Sequence, residues 1–386
     1  MQPDIDLLIL GGGCAGLSLA MALTRTKNRL PTTLILEQRE RYENDRTWCF
    51  WGNRKTPLTA LATHQWRAVK VVSGDQVVRV ECPGETYQML ASDRFYAAAV
   101  RAVATVPEIH LQMDTPVLLE PQFSNGRWHF QTPSGSFSAA MVVDTRPVLA
   151  VSSDDALLWQ SFYGQEIDCS QPVFDPDCAE LMSFSDVSPD RVAFTYVLPI
   201  SSTRALVEFT VFAMQPQLAH DLSADLAASI AQHVKGAAFS VLRSEHGVLP
   251  MGLAPAQTAS VGHDRDSTYV RVGLFAGAAR PATGYAFQRI QRWATHCAER
   301  ISEGGLPIAH PKDPWLLAWM DTLFLKVIQR HPQLAPQLFV NMFARVDSQR
   351  MVRFLSDQGR FSDYAAIVLA MPFRPFLQQL FRLPSW

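Results

Sequence analysis

The side chain best suited to acid chemistry is a glutamate in an apolar extended segment. Glu208 lies within residues 205–212, where strand alternation places Leu206 and Thr210 on the same face as the carboxyl group. A carboxyl group that is shielded from water on such a face has a raised pKa and can stay protonated near neutral pH. Glu208 is therefore a candidate proton donor. The alternative is an ion pair with Arg204 that has only a structural role.

A second chemical signal is the glycine-rich turn near the amino end. Residues 6–10 form an apolar run typical of a buried parallel strand, and the chain continues as Gly11-Gly12-Gly13-Cys14-Ala15-Gly16. Residues 17–23 favour a helix, and a second apolar strand at 33–36 ends at Glu37.

Each part of this turn has a task in binding a dinucleotide. Gly11 allows the tight turn, Gly13 lets a pyrophosphate approach the backbone, and Gly16 lets helix and strand pack closely. The helix N-terminus attracts phosphate, and Glu37 is placed to accept ribose hydroxyls. The unit predicts a nucleotide site but does not by itself distinguish FAD from NAD.

Three other segments contain groups that can contact a cofactor or a substrate. A buried strand ends in Asp144, and a polar loop ends at Arg46 just before the aromatic residues Trp48, Phe50 and Trp51. Aromatic faces attract cations, although such a run is more often part of a core, and an arginine on a polar loop is usually solvated. A late loop and the start of a helix at 286–298 contain Gly277, Pro281, Thr283, Gly284 and Tyr285.

The elements that must position these groups alternate between helix and sheet. Hairpins are predicted at 69–80 and at 127–137, the latter around Ser134-Gly135, and helices at 92–103 and 221–234. Residues 155–260 are typical of an antiparallel sheet, and residues from 313 onward are mostly helical. We therefore predict an α/β fold in four segments: the first part of a nucleotide-binding domain at 1–150, a substrate domain at 151–265, a return segment at 266–305, and a helical region at 306–386 that can form a membrane-contacting lid.

Composition and charge disfavour several classes of protein. The 386 residues have a net charge of −2, with 34 basic and 36 acidic side chains, so there is no global basic footprint for nucleic acid. The six cysteines show no CxxC spacing, which favours free thiols and gives no support for a metal site. The start, with Asp4 and Asp6, is unlike a signal peptide, and no apolar run approaches about 18 residues. We expect a cytoplasmic protein, free or on a membrane surface.

Three later motifs, taken with the glycine turn, resemble the flavin-dependent lycopene cyclases, the β-cyclase family of carotenoid biosynthesis. They are the aromatic motif at 46–51, the strand at 198–210 with its acid in an E-x-T setting, and the loop at 273–287. Residues 245–252 and 371–377 also look familial. One departure is Pro147, where relatives usually have glycine.

The resemblance implies a p-hydroxybenzoate-hydroxylase-like flavoprotein fold, with a Rossmann-like FAD-binding domain, an inserted antiparallel-sheet substrate domain and a helical C-terminal tail. It also implies a cyclisation with no net redox change that needs reduced FAD, with NADPH as the expected electron donor. In that reaction a proton adds to the terminal double bond of an acyclic ψ-end group of lycopene or a related carotenoid. The neighbouring double bond attacks the tertiary cation, and loss of a ring proton gives the β-ionone end.

The resemblance also implies roles for residues. Glu208 would be the catalytic acid, or would stabilise the cation while reduced flavin supplies the proton. The implied cofactor contacts are Gly11, Gly13, Cys14, Ala15, Gly16, Glu37, Arg46, Asp144, Gly277, Pro281, Thr283, Gly284 and Tyr285, and the implied substrate-lining residues are Trp48, Phe50, Trp51, Leu206 and Thr210.

A polyene of this length must be drawn from a bilayer, and the C-terminal region has suitable segments. Apolar residues recur at helical spacing at 315–328, ahead of Arg330, and further ones at 373–386 lie beside Arg374 and Arg382. This pattern suits an interfacial helix, and equally a helical lid over the substrate domain.

Three alternatives stay open: a monooxygenase of the same fold that uses FAD and NADPH, an isoprenoid reductase, and a non-catalytic carotenoid-binding flavoprotein. Gly277-Ala278, in place of the Gly-Asp pair that monooxygenases typically have, disfavours hydroxylation.

Overall fold

The described part of the chain folds into three sheets and a C-terminal group of helices. The structure is a computed structural model, and it describes residues 5–52, 59–133, 135–147, 153–185, 188–253 and 268–381. Within these ranges the strands are β1 (Ile5–Leu10), β2 (Thr33–Leu36), β3 (Thr47–Gly52), β4 (His64–Trp66), β5 (Ala68–Ser73), β6 (Gln76–Glu81), β7 (Thr86–Ala91), β8 (Ile109–Gln112), β9 (Gln122–Ser124), β10 (Arg127–Thr132), β11 (Gly135–Asp144), β12 (Ala156–Cys169), β13 (Cys178–Phe184), β14 (Val192–Pro199), β15 (Arg204–Ala213), β16 (Phe239–Leu253) and β17 (Tyr269–Arg271).

The described helices group around these sheets. They are α1 (Cys14–Leu23), α2 (Ser92–Ala104), α3 (Ser223–Val234), α4 (Phe287–Ser302), α5 (Trp315–Arg330), α6 (Ala335–Arg345), α7 (Ser348–Leu355), α8 (Phe361–Ala370) and α9 (Phe373–Leu380), with short 3-10 turns at Ser153–Asp155, Leu274–Ala276 and Pro332–Leu334.

The first sheet is largely parallel and holds the amino-terminal strands. Its order is β8-β2-β1-β11-β10-β9, and β17 pairs with the carboxyl end of β11. β1 is apolar and buried on both faces, as a central parallel strand must be. Helices α1 and α4 pack on one face, where Leu19 and Trp293 share a core cluster with Ile9. Parallel pairing places Leu10, Leu36 and Asp144 at one edge of the sheet, beside the glycine turn.

The second sheet is the scaffold for the candidate acid. Its order is β16-β12-β15-β14-β13-β5-β6, and the pairs are antiparallel except β13 with β5. Helix α3 covers the face that carries Val207 and Phe209. The opposite face, which we call the inner face, carries Leu206, Glu208 and Thr210, and its apolar residues pack with the C-terminal helices.

A third, three-stranded sheet with the order β3-β7-β4 joins the other two parts. The Thr47 hydroxyl donates to Glu245 in β16, and Trp66 Nε1 donates to the Pro199 carbonyl in β14. Towards α4, the Gln288 side-chain amide donates to the carbonyl of Trp51. The third sheet therefore fixes the inner face relative to the helix that covers the first sheet.

The predicted fold class is confirmed: a Rossmann-like sheet, an antiparallel sheet and a helical C-terminal region are all present. The hairpins near 69–80 and 127–137 form as β5–β6 and β10–β11, although Ser134 lies outside the described residues. The division into four segments stays a prediction. Strands β5 and β6, which fall inside the first predicted segment, pair with the second sheet through β13.

The expected membrane-contacting tail is described as far as residue 381, so Arg382 and Trp386 lie outside the described residues, as does Asp4. Across the ranges given above, no helix has both the length and the apolar character that crossing a bilayer requires.

Candidate active site

The glycine turn after β1 leaves room for a phosphate group. Gly11 has a φ of +93°, and a Cβ built at Gly16 would lie 2.0 Å from the Gly11 carbonyl oxygen, so this packing requires glycine. Apart from Gly13 and its two neighbours in the chain, no described residue has a heavy atom within 4 Å of a Cβ built at Gly13. Gly13 caps α1 without a side-chain hydrogen bond, and Cys14 and Ala15 begin the helix. The backbone N–H groups of that first turn are therefore suited to an anion.

Glu37 is held rigidly beside this turn. Its buried carboxylate accepts hydrogen bonds from the backbone N–H groups of Gly12, at 2.8 Å, and Arg39, at 2.9 Å. The Arg39 guanidinium pairs with the same carboxylate and lies 4.9 Å from the ring centroid of Tyr42 and 5.1 Å from that of Tyr96. The acid predicted to contact ribose is thus fixed next to the predicted phosphate position.

Asp144 lies at the same sheet edge, but its oxygens already have partners. The buried carboxylate accepts from Arg146 Nη2, at 2.8 Å, and from the Tyr269 hydroxyl, at 2.7 Å. Burial raises the pKa of Asp144, but the hydrogen bonds from Arg146 and Tyr269 outweigh it and lower the pKa. The structure therefore places Asp144 as an ionised group next to β1.

Arg46 links two sheets. Its side chain donates to the His246 carbonyl in β16, and its backbone N–H donates to Ser92 Oγ at 3.1 Å. The residue predicted to contact the cofactor therefore also ties the start of β3 to the second sheet.

The late glycine loop reaches the inner face of the second sheet. Gly277 and Gly284 have φ values of +93° and +68°. A Cβ built at Gly284 would lie 2.9 Å from Gln160 Oε1 of β12, so the loop backbone approaches the sheet closely. Helix α4 follows, and its N-cap Ala286 makes no side-chain capping hydrogen bond.

The same loop is anchored to the C-terminal helices by one arginine. Arg280 is almost fully buried, and its Nε lies 3.0 Å from Asp321 Oδ2 of α5. Its guanidinium stacks on Phe354 of α7 at 4.2 Å and donates to the carbonyl of that residue. The backbone carbonyl of Arg280 accepts from the N–H groups of Thr283 and Gly284, which closes the turn after Pro281.

Glu208 lies on the inner face in the middle of β15. Its buried carboxyl group accepts a hydrogen bond of 2.9 Å from the Thr210 hydroxyl. Burial raises the pKa of Glu208 to about 8, and the nearby carboxylate of Glu245 adds to the rise. The group therefore keeps its proton at neutral pH. Arg204, the partner in the structural alternative, pairs with Glu166 instead.

A second buried glutamate lies across β12 from Glu208. Gly164 pairs in register with Glu208 on one side and with Glu245 on the other. Glu245 accepts a hydrogen bond of 2.6 Å from the Thr47 hydroxyl and forms a salt bridge with Arg243. The sequence motifs did not predict Glu245 as a site residue. The available signal was its place at the start of the familial block 245–252.

The aromatic residues of β3 divide between two faces. Trp48 and Phe50 stack on Phe287 of α4, with ring centroids 5.3 Å and 5.2 Å away, and belong to a core cluster there. Trp51 points the other way, with its ring centroid 4.7 Å from that of Tyr87. The buried Trp51 Nε1 has no hydrogen-bond partner within the described part of the chain. Of these three aromatic residues, Trp51 therefore packs on the same side of β3 as Tyr87.

Three tyrosines connect the acid to the late loop. The Tyr87 hydroxyl lies 2.7 Å from that of Tyr196 and 3.5 Å from that of Tyr285. Tyr196 pairs in register with Glu208, and Tyr285 follows Gly284 in the loop. Burial raises the pKa of Tyr285 to about 12, so its phenol is neutral. The tyrosines thus form a continuous link from Glu208 and Thr210 on the inner face to Tyr285 in the late loop, and they place aromatic rings on the same side as the protonated carboxyl group.

The sequence comparisons point to one family. The family described as Lycopene cyclase protein matches residues 6–381. The chain belongs to the lycopene cyclase family. The resemblance stated from the motifs is therefore confirmed. Among the relatives of this chain are two proteins named lycopene beta-cyclase. That of Pseudescherichia vulneris is 27% identical over 309 residues, which cover 78% of this chain and 76% of the relative. That of Pantoea ananas is 26% identical over 317 residues, which cover 78% and 75%.

Solved structures share the fold of this chain at low sequence identity. A geranylgeranyl bacteriochlorophyll reductase-like protein from Thermoplasma acidophilum has a TM-score of 0.62 at 14% identity, over 99% of each chain. The p-nitrophenol 4-monooxygenase PnpA from Pseudomonas putida DLL-E4 has a TM-score of 0.59 at 14% identity, over 97% of this chain and 99% of that one. The flavin-dependent brominase Bmp2 has a TM-score of 0.61 at 12% identity, over 98% and 100%. These likenesses concern the fold alone.

Proposed function

We propose that this protein is a lycopene β-cyclase that closes the ψ-end groups of lycopene into β-ionone rings, giving γ-carotene and β-carotene. The reaction depends on reduced FAD but has no net redox change. Two relatives that match more than three quarters of the chain are named lycopene beta-cyclase. The observation that supports the proposal most directly is the buried carboxyl group of Glu208, which keeps its proton at neutral pH on an apolar sheet face.

Glu208 is the proposed acid of the first step. Protonating an alkene needs a group that still carries its proton at neutral pH and a site from which water, which would trap the cation, is excluded, and a buried protonated carboxyl group meets both needs. The Thr210 hydroxyl fixes one carboxyl oxygen, and Leu206 on the same face helps to exclude water. The proton goes to the terminal double bond, and the resulting tertiary cation is attacked by the neighbouring double bond.

The glycine turn fits FAD. The open space at Gly13, the uncapped start of α1 and the fixed carboxylate of Glu37 suit a pyrophosphate and a ribose. We propose that the loop from Gly277 to Tyr285 holds the flavin ring end, since it joins the first sheet to the inner face, and that Arg46 and Asp144 add contacts. Bound reduced FAD would supply an electron-rich ring that stabilises a nearby cation. NADPH is the proposed electron donor.

The C-terminal helices are the proposed contact with the membrane, which places the protein on the cytoplasmic surface of a bilayer. Large apolar side chains on this part of the fold are between 67% and 88% exposed, namely Trp315, Phe361, Leu369, Phe373 and Phe381. A water-insoluble carotenoid has to enter from lipid, and such side chains favour the interfacial region.

Expression in lycopene-accumulating cells tests the function. Wild-type protein is expected to convert lycopene into products of unchanged mass that carry β-ionone rings, as measured by chromatography, mass spectrometry and absorbance. Glu208→Gln is expected to abolish conversion while FAD content stays normal. Glu81→Gln, which removes a glutamate from an exposed position of β6 in the same sheet, is the control and should keep full conversion.

Other products would contradict the proposal. A mass gain of one oxygen, with matching consumption of O₂ and NADPH, would indicate a monooxygenase. A gain of two hydrogens would indicate an isoprenoid reductase. Bound but unchanged lycopene would indicate a carotenoid-binding protein.

A further inference from the structure

Two carboxyl groups lie on the inner face on either side of one glycine. Gly164 of β12 pairs in register with Glu208 of β15 and with Glu245 of β16, so both side chains project from the same face. The two Cα atoms are separated by two strand spacings, about 10 Å. A Cβ built at Gly164 would lie only 3.1 Å from the Cβ of Glu208. Glu208 therefore lies over the position that a side chain at Gly164 would occupy.

The two carboxyl groups have opposite surroundings. Glu208 receives one neutral hydrogen bond, from Thr210, and burial keeps it protonated. Glu245 forms a salt bridge with Arg243, a permanent cation, and accepts a hydrogen bond from Thr47 of the third sheet. Glu245 is therefore held in an ion pair, while Glu208 accepts its hydrogen bond from a neutral hydroxyl group. Pairs of carboxyl groups with such different surroundings commonly divide acid and base duties.

The proposed cyclisation needs a proton acceptor as well as a donor. The proton is added at one end of the substrate and lost from a different carbon, after the ring has closed. At that stage the cation lies on a ring carbon that bears a methyl group, with removable hydrogens on three neighbours. One neighbour is the ring carbon that carries the polyene chain, which we call the ring-junction carbon, and loss of its proton gives the β ring. Loss of a proton from the ring methylene gives an ε ring, and loss from the methyl group gives a γ ring. The position of the base therefore decides which ring forms.

We propose that Glu245 is the base that removes the ring-junction proton and so directs the reaction to β-ionone rings. This inference rests on the proposed function. Glu208 gives a proton to the terminal double bond, and the second double bond forms the new carbon–carbon bond. Glu245 takes the proton from the ring-junction carbon, whose C–H electron pair becomes the ring double bond. Transfer of that proton from Glu245 to the Glu208 carboxylate then restores both groups, and no electrons are gained or lost overall.

The test compares the ring types made by three variants. Glu245→Gln removes the base but keeps the size of the side chain. Its β-ring product is expected to fall by about 10²-fold or more, with ε or γ rings among the remaining cyclised product and FAD content unchanged. Glu245→Asp keeps a carboxylate and is expected to make β rings only, at a reduced rate. Glu166→Gln is the control, because it removes another buried carboxylate paired with Arg243 and should leave the ring type unchanged.

Each result decides the question. Glu245→Gln that makes only β rings at the wild-type rate would overturn the assignment. If Glu245→Gln makes no ring at all, Glu245→Asp decides: β rings from that variant support the base role, and none refutes it. A change of ring type in Glu166→Gln as well would also refute it, because the effect would then be general to the charge cluster. If the wild-type protein makes no rings, the proposed cyclase function itself is refuted. Failure of the proposed function is therefore distinguishable from failure of the Glu245 assignment, in which the wild type still makes rings.

Discussion

Replacing Glu208 by glutamine should stabilise the protein, and increasingly so as the pH rises. Burial raises the pKa of Glu208 from 4.5 to about 8 in the folded protein. At about 1.4 kcal/mol for each pH unit, ionising this group in the folded state costs about 5 kcal/mol more than in the unfolded chain. Glutamine cannot ionise, so it avoids this cost.

The sign of the effect follows from proton binding. Between pH 4.5 and about pH 8, Glu208 holds its proton more tightly in the folded state than in the unfolded chain. The stability of the wild type therefore falls as the pH rises through this range and levels off above it. The advantage of Glu208→Gln should therefore be near zero at about pH 4, about 3 kcal/mol at pH 7 and about 5 kcal/mol at pH 9.

Urea denaturation of both proteins at these pH values measures the difference in unfolding free energy. Glu180→Gln provides an opposite-sign control on the other face of the sheet. Burial raises the pKa of Glu180, but His233 and Lys70 together outweigh it and hold this pKa down to about 2. Loss of the Glu180 carboxylate should therefore destabilise the protein at high pH. Wild type and Glu208→Gln with parallel stability profiles from low to high pH would refute the reasoning, because Glu208 would then be hydrated.

Three further predictions concern the cofactor turn, the loop anchor and the apolar surface. Gly13→Ala should lose FAD, measured by flavin absorbance, but should keep the urea midpoint of the wild type when both proteins are free of FAD. Gly16→Ala should cost about 1–3 kcal/mol in the same FAD-free comparison, because its Cβ meets the Gly11 carbonyl, and equal midpoints for the two variants would contradict this. Arg280→Leu leaves Asp321 buried without its cationic partner and should lower the free energy of unfolding by about 3–5 kcal/mol. Thermal denaturation measures this loss, and an unchanged melting temperature would contradict it. The triple variant Phe361→Ser, Leu369→Ser and Phe373→Ser should no longer co-sediment with anionic lipid vesicles, while its melting temperature stays unchanged. The control Val77→Ser, at another exposed apolar residue, should still bind the vesicles. Undiminished vesicle binding by the triple variant would refute the proposed membrane surface.

Features that depend on neighbouring residues were predictable from the sequence. The alternation at 205–212 was enough to place Glu208 with Leu206 and Thr210 on a buried face, because strand geometry is local. The glycine turn was predictable for the same reason, since Gly11 and Gly16 meet within a few residues.

Features that depend on strand register between distant segments were not predictable. Glu245 lies opposite Gly164 only because β16 pairs with β12 in one particular register, and no local pattern fixes that register. The hairpin β5–β6 was expected, but its parallel pairing with β13, about a hundred residues later, was not. The tyrosine cluster likewise draws Tyr87, Tyr196 and Tyr285 from three separate segments.

The late completion of the first sheet affects how this chain can be synthesised. Strand β17 joins the sheet at Tyr269–Arg271, and α4, which covers β1 and α1, ends at Ser302. On the ribosome, about three quarters of the chain must emerge before this amino-terminal sheet is complete and covered. The part of the sheet face that α4 covers therefore stays uncovered until late in translation, and we expect the nascent chain to benefit from chaperone protection until α4 has left the exit tunnel.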